Sequence, residues 1–166
     1  MDLVVNVSED WGIGKDGKLL VSISADLKRF RALTTGKAII LGRKTLATFP
    51  GGRPLKNRRN LILSSTLSSV EGAECYPSME ALLPALREMD SEQISVIGGQ
   101  SVYLALLPYC SKAYITKTLG SYPADAFFPN LDDMPEWHIA EESEIMEEEG
   151  IRFQYVDYVN SSPLPL

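Results

Sequence analysis

The chain has 166 residues, 45% hydrophobic and 23% charged, with a net charge of −6, the balance of one globular domain with a sizeable core. No apolar run is long enough to span a bilayer, and the N-terminus lacks the basic-then-apolar pattern of a secretory signal, so a cytoplasmic protein is expected. Cys75 and Cys110 have no metal-ligand spacing and His138 is the one histidine, which predicts a reduced, buried thiol pair, a structural histidine and no metal site.

In chain order, "DLVVNVS" reads as a first strand. "WGIGKDGKLL" follows, and its Gly12, Gly14 and Gly17 form a literal G-x-G-x-x-G. A dinucleotide-binding turn needs those glycines to open a helix directly and an acidic residue about 20 residues on. Here "KLLVSI" intervenes and the later region is basic, so the reading is a mobile loop flanking a site. "SADLKRFRALT" is a helix with Ser24 as N-cap. "AIIL" and "LIL" are buried strands, with a short helix beginning around "GRKT". "SMEALLPALREM" is a helix capped by Ser78, which Pro84 should kink or shorten. After the strand "ISVI", "GQSVYLALLPYC" is a helix stopped by Pro108, and "AYIT" is a further strand. At the end, "WHIAEESEIM", "EEEG" and "IRFQYVDYV" form an antiparallel hairpin in which Ile151, Phe153 and Tyr155 alternate with Arg152 and Gln154. Strands alternating with helices imply an α/β fold with a largely parallel sheet. One domain is expected over residues 1–159, with 160–166 a disordered tail.

Charge is uneven. No Asp or Glu occurs from Leu27 to Val70, while that stretch carries Lys28, Arg29, Arg31, Lys37, Arg43, Lys44, Arg53, Lys56, Arg58 and Arg59. Apolar strands interrupt these cations, the chain is acidic overall and no RNA-binding aromatic motif is present, so a small polyanion fits better than nucleic acid. Three places suit chemistry. On a helical wheel Asp26 projects between Leu33 and Phe30, inside the apolar stripe, where a carboxylate needs a partner; the alternative is an acid that merely favours the helix dipole. In "AIILGRKT" a buried strand ends at Gly42, and Arg43, Lys44 and Thr45 open a helix, a phosphate-binding arrangement. In "ISVIGGQSVY" a second strand ends at Gly98-Gly99 before another helix, and paired glycines allow close approach to a ligand. Two such ends suggest a ligand across the carboxyl edge of the sheet.

Taken together, "GIGKDG", "ADLKRFRALT", "GRKT", "GGRPL" with "NRRNLILSS", "VIGGQSVY", "YIT" and "DAFFP" resemble dihydrofolate reductase from about Leu3 to Val159. The resemblance implies a central eight-stranded, mostly parallel sheet with a C-terminal antiparallel hairpin and four flanking helices. It implies NADPH as cofactor and 7,8-dihydrofolate as substrate, with hydride transfer to C6 and protonation at N5. Asp26 would be the catalytic acid, bound to the pterin 2-amino group and N3, with Thr116 hydrogen-bonded behind it. Val4, Val5, Leu27, Phe30, Phe49 and Ile97 would line the pterin pocket, and Arg58 would hold the α-carboxylate of the glutamate tail. Gly42, Arg43, Lys44 and Thr45, with Leu63, Ser64 and Ser65, would hold the adenosine ribose phosphate and pyrophosphate. Ile97, Gly98, Gly99, Gln100, Ser101, Val102 and Tyr103 would lie under the cofactor, with a cis peptide between the two glycines. Asn6, Ile13, Gly14 and Leu19 would border the nicotinamide. "WGIGKDGKLL" would be a lid over both ligands, anchored by Asp125. A monomer that binds neither nucleic acid nor membrane is expected.

The sequence also departs from that family. Leu20-Val21 replaces a common Pro-Trp, and Val21 cannot donate the hydrogen bond by which the indole helps hold a water near the acid. Asn6 stands where a small residue is usual, and Ala126 where a hydroxyl residue is usual. Two alternatives remain at this point: a reductase of the same fold acting on a pyrimidine in riboflavin synthesis, and a nucleotide- or folate-binding protein without turnover.

Overall fold

β1 (Asp2–Val7) is followed by a small hairpin of β2 (Gly12–Lys15) and β3 (Lys18–Leu19), and then by α1 (Ser24–Thr34). β4 (Ala38–Gly42) runs directly into α2 (Arg43–Thr48), and β5 (Arg59–Leu63) and β6 (Ala73–Tyr76) lead to α3 (Met79–Arg87). β7 (Ile94–Gly98) runs into α4 (Gln100–Leu106), and β8 (Lys112–Thr118) follows. The chain ends with β9 (Ala126–Phe127), β10 (Trp137–Glu142), β11 (Met146–Glu148) and β12 (Ile151–Asn160). This computed structural model describes all 166 residues.

Eight strands lie in the order β10-β12-β8-β1-β7-β4-β5-β6, with β11 added beside β12. From β8 to β6 every neighbour is parallel. β12 is antiparallel to β8, β10 and β11. The expected mixed sheet, four helices and C-terminal hairpin are therefore present. β2, β3 and β9 form a separate three-stranded sheet. Neither this small sheet nor β6 stands out in the sequence, because strands of two to four residues are too short for an alternation signal.

Strand alternation divides the core in two. Leu3, Val5, Ala38, Ile40, Leu61 and Val96 join Leu82, Leu86, Val102 and Leu106 from α3 and α4 in one cluster. Ile39, Leu41, Ile62 and Ile97 turn to the other face, where they meet Leu46, Phe30 and Phe49. Helices thus cover both faces, as a parallel sheet requires, and the second cluster carries three of the residues expected around a pterin.

Local details differ from the sequence reading. Ser78 does cap α3, accepting from the Ala81 N–H at 3.2 Å. Ser24 does not cap α1: it is the first helical residue, after an Ile23 cap with no side-chain bond. Pro84 lies inside α3, which still continues to Arg87. Cys110 is buried but Cys75 is only half-buried, on an edge strand. Asn160, assigned from the sequence to a disordered tail, closes β12, and its side chain donates to the Cys110 carbonyl at 3.0 Å. Beyond it the chain has no regular structure, yet Leu164 N–H donates to the Pro108 carbonyl at 2.9 Å and Leu166 packs on the main core. No helix is long and apolar enough to cross a membrane.

Candidate active site

α1 brings Asp26 to the sheet in its first turn, where backbone N–H groups have no helical partner. The Glu148 carboxylate, from β11, accepts two of them, Ser24 N–H at 2.6 Å and Ala25 N–H at 3.2 Å. Asp26 itself is half-buried, at the rim of a cavity and not deep in the core. Its Oδ1 accepts from Thr116 Oγ1 at 2.5 Å, and its Oδ2 accepts from Asn6 Nδ2 at 3.0 Å. Asn6 Oδ1 in turn accepts from Thr118 Oγ1 at 2.7 Å. Both carboxylate oxygens are thus held by charge-assisted bonds.

A cavity of about 50 Å³, partly open to solvent, lies between Asp26, Asn6 and Thr118 on one side and Ile13, Leu19, Leu20 and Val21 on the other. Asp26 is the only carboxylate that lines it. Leu27 beside it is 48% exposed, an apolar side chain left uncovered at the cavity mouth. Tyr103 lies beneath, its hydroxyl donating to the Val4 carbonyl at 2.7 Å. Burial, with the Asp26 charge second, pushes the Tyr103 phenol up and keeps it a neutral donor.

The sequence "GIGKDG" has structural work in this wall. Asp16 and Gly17, with φ of 51° and 76°, make the two-residue turn between β2 and β3. At Gly12 a Cβ would fall 2.7 Å from Ala124 Cβ, so only glycine fits. Asp125 Oδ2 accepts from Asp16 N–H at 3.0 Å, joining this hairpin to the β9 loop as the resemblance implied for the lid anchor.

At the carboxyl edge β4 and β7 end side by side. The Gly98-Gly99 peptide is cis, and Gly98 has φ 134°. A Cβ on Gly98 would lie 3.1 Å from Thr45 Oγ1 and one on Gly42 3.2 Å from Val102 Cγ2. The glycines therefore leave a backbone-lined cradle against α2 and α4, a shape that suits a flat or phosphorylated ligand. Arg43 and Lys44 are exposed and make no ion pair. Ser65 is exposed, whereas Ser64 Oγ already accepts from Thr66 and Leu67 N–H. Leu63 is half-buried, Ser101 exposed and Gln100 exposed; Gln100 Oε1 accepts from Phe127 N–H at 2.9 Å, tying the small sheet to α4. The unpaired cations, free hydroxyl and glycine cradle fit the phosphates and ring of a dinucleotide.

Arg58 sits at the far end of α1. Its Nε donates to Thr34 Oγ1 at 3.0 Å and its Nη1 to the Lys56 carbonyl at 3.1 Å, with no carboxylate partner. Burial and then the nearby Arg31 push its guanidinium down, so an anion here would relieve repulsion.

The structure thus joins Asp26, Asn6, Ile13, Leu19 and Leu27 in one cavity, puts Phe30, Phe49 and Ile97 in a second apolar cluster, and sets Gly42, Arg43, Lys44 and Thr45 at the end of β4 and the start of α2, further along the sheet. Thr118, Tyr122 and Glu148 were missed. The i, i+2 spacing of Thr116 and Thr118 on a strand carried the signal for the first; nothing local marks the other two.

Residues 1–160 match the sequence model of the family described as dihydrofolate reductase. The chain is similar to a dihydrofolate reductase of Haemophilus influenzae, at 38% identity over 82% of each chain. It is also similar to one of Drosophila melanogaster, at 34% identity over 93% of this chain and 94% of that one. Among solved structures it superposes on the Enterococcus faecalis dihydrofolate reductase complexed with NADP(H) and RAB-propyl, with TM-score 0.86, 29% identity and coverage of 97% and 96%.

Proposed function

Because this chain belongs to the dihydrofolate reductase family and reduces 7,8-dihydrofolate to tetrahydrofolate with NADPH, we propose that Asp26 is the residue on which its catalysis depends. The observation that carries this reading is that Asp26 is the single carboxylate in the cavity, with one donor fixed on each oxygen. A carboxylate offers about four acceptor sites. Two are occupied, and the other two match a pair of adjacent N–H donors such as a pterin 2-amino group and N3.

NADPH, when bound, supplies the hydride for C6. The chain's own residues do the rest. Gly42, Gly98 and Gly99 leave room for the cofactor, Arg43, Lys44, Thr45, Ser64 and Ser65 hold its phosphates, and Gln100, Ser101, Val102 and Tyr103 support it from α4. Val4, Val5, Leu27, Phe30, Phe49 and Ile97 enclose the pterin, Thr116 orients Asp26, and Arg58 takes the tail carboxylate. Ile13, Gly14 and Leu19, on the β2–β3 hairpin, cover the nicotinamide and exclude water, which strengthens every polar contact inside. Asp26 acts on N5 through a water and through the pterin tautomer, since it grips the opposite edge of the ring. We place this activity in a cytoplasmic monomer.

The test is loss of 340 nm absorbance when the purified chain meets NADPH and dihydrofolate. Turnover with wild type that disappears on Asp26→Asn supports the assignment. Wild-type turnover by Asp26→Asn would overturn it.

A further inference from the structure

Asn6 on β1 stands directly opposite Thr116 on β8, and Thr118 lies two residues beyond Thr116. Alternation therefore sends all three side chains from one face of the sheet, under α1. Their wiring has one solution. A carboxylate only accepts, whereas an amide donates at nitrogen and accepts at oxygen. Asn6 Nδ2 meets Asp26 Oδ2 and Asn6 Oδ1 meets the Thr118 hydroxyl. Turned over, the amide would set its oxygen against the carboxylate charge. Thr118 is 1% exposed, so its hydroxyl has no water to turn to, and breaking the bond would leave a buried polar group unpaired. Across the cavity Leu20 and Val21 offer Asp26 no side-chain donor.

We infer that Asn6, locked by Thr118, is a positioning residue for Asp26, fixing the carboxylate plane that the substrate must meet. The inference rests on the proposed role of Asp26. Thr116 alone would leave the carboxylate free to turn about its bond to the helix; a second donor on the second oxygen removes that freedom before substrate arrives. Thr118 acts one step further back, by holding the amide in its donating orientation.

Steady-state kinetics with NADPH and dihydrofolate on the intact chain tests this. The variants are Asn6→Ala, Thr118→Val, Thr118→Ser and the Asn6→Ala/Thr118→Val pair. Asn6→Ala should lower kcat by about tenfold or more, the size of a lost bond to a charged group. Thr118→Val should lower it less, Thr118→Ser should keep the wild-type value, and the double variant should be no worse than Asn6→Ala alone. KM for NADPH should change less than kcat in every variant that loses turnover. The inference falls if Asn6→Ala keeps its kcat, if the two losses add, if serine fails to rescue, or if the loss appears only in KM for NADPH, which would make Asn6 a cofactor contact. Should Asn6→Ala not fold, equal kcat in Thr118→Val and Thr118→Ser overturns the inference by itself. An inactive wild type sinks the functional reading along with it, whereas an active wild type with unaffected variants sinks the positioning role alone.

Discussion

Replacing Asp26 by asparagine keeps the shape of the side chain and removes its charge and its titration. The stability cost is small, because the surrounding groups can rewire. The new amide oxygen still accepts from Thr116, while its NH2 meets Asn6, which can turn its own oxygen inward and donate to the Thr118 hydroxyl. Every bond survives as a neutral one. Function does not survive in the same way. Substrate N–H groups lose a charged acceptor, and bonds to charged groups are worth about 1.5–3 kcal/mol against roughly 1 for neutral ones. Proton delivery contributes roughly 10²–10⁴-fold where a side chain controls it. Turnover at pH 7 should therefore fall by about 10²-fold or more, and part of it should return at low pH, where solution protonates dihydrofolate without help. NADPH affinity should hardly change, since its phosphate residues lie at another end of the sheet edge. The assay is kcat against pH for wild type and Asp26→Asn by NADPH absorbance, with NADPH binding and thermal melts alongside. Wild-type turnover by the variant at pH 7 would reduce Asp26 to a helix-start acid and refute the assignment.

Arg43→Ala should raise KM for NADPH far more than for NADH, because an unpaired guanidinium at the α2 start is placed for the 2′-phosphate and each charge-assisted contact is worth about 1.5–3 kcal/mol; equal effects on both cofactors would remove it from the phosphate site. Glu74→Gln should lower the melting temperature slightly at pH 7 and not in acid. The Arg59 guanidinium, bonded to both Glu74 oxygens, holds that carboxyl below its ordinary value of 4.5, so its stabilisation is present above that pH and is lost as pH falls through the lower folded value. Both side chains are about half exposed, at 51% and 42%, which limits the effect to about 1 kcal/mol or less; a melting difference that persists or grows in acid would contradict this. Burial pushes the Cys110 thiol up to about 12, so a thiol reagent at pH 8 should label Cys75 in the native chain and both cysteines only in denaturant; rapid native labelling of two would show that the core around Cys110 opens.

What the sequence disclosed depended on how far apart the cooperating residues lie along it. Gly42 to Thr45 and Gly98 to Tyr103 each pass from strand end to helix start within a few residues, so local pattern alone pointed to these two strand ends, which the sheet sets side by side. Asp26 was legible because one helix supplies both the acid and the apolar stripe that makes it anomalous, although the wheel overstated its burial. Nothing local could show that Asn6 touches Asp26, or that Thr118, 112 residues away, fixes it. Alternation assigns faces to a strand but not neighbours, and only the pairing of β1 with β8 in the register Asn6 to Thr116 puts the three together. Glu148 on the start of α1 is hidden for the same reason.

The loop glycines carry the same lesson in reverse. Their spacing invited an explanation in flexibility, yet Gly12 is required by the Ala124 methyl group from a distant loop, and Gly17 by a tight turn. The segment over the cavity is therefore a hairpin with a defined shape, paired to β9 along β2 and held by Asp125 through one exposed bond to Asp16 N–H, while Gln100 accepts from Phe127 N–H on β9. Gln100 opens α4, so the small sheet and the helix that follows Gly98-Gly99 are joined through one residue. Weakening the Gln100 contact should loosen the small sheet against α4, read as faster amide exchange at Phe127 in Gln100→Ala, before it disturbs Asp26, whose own bonds come from β1 and β8.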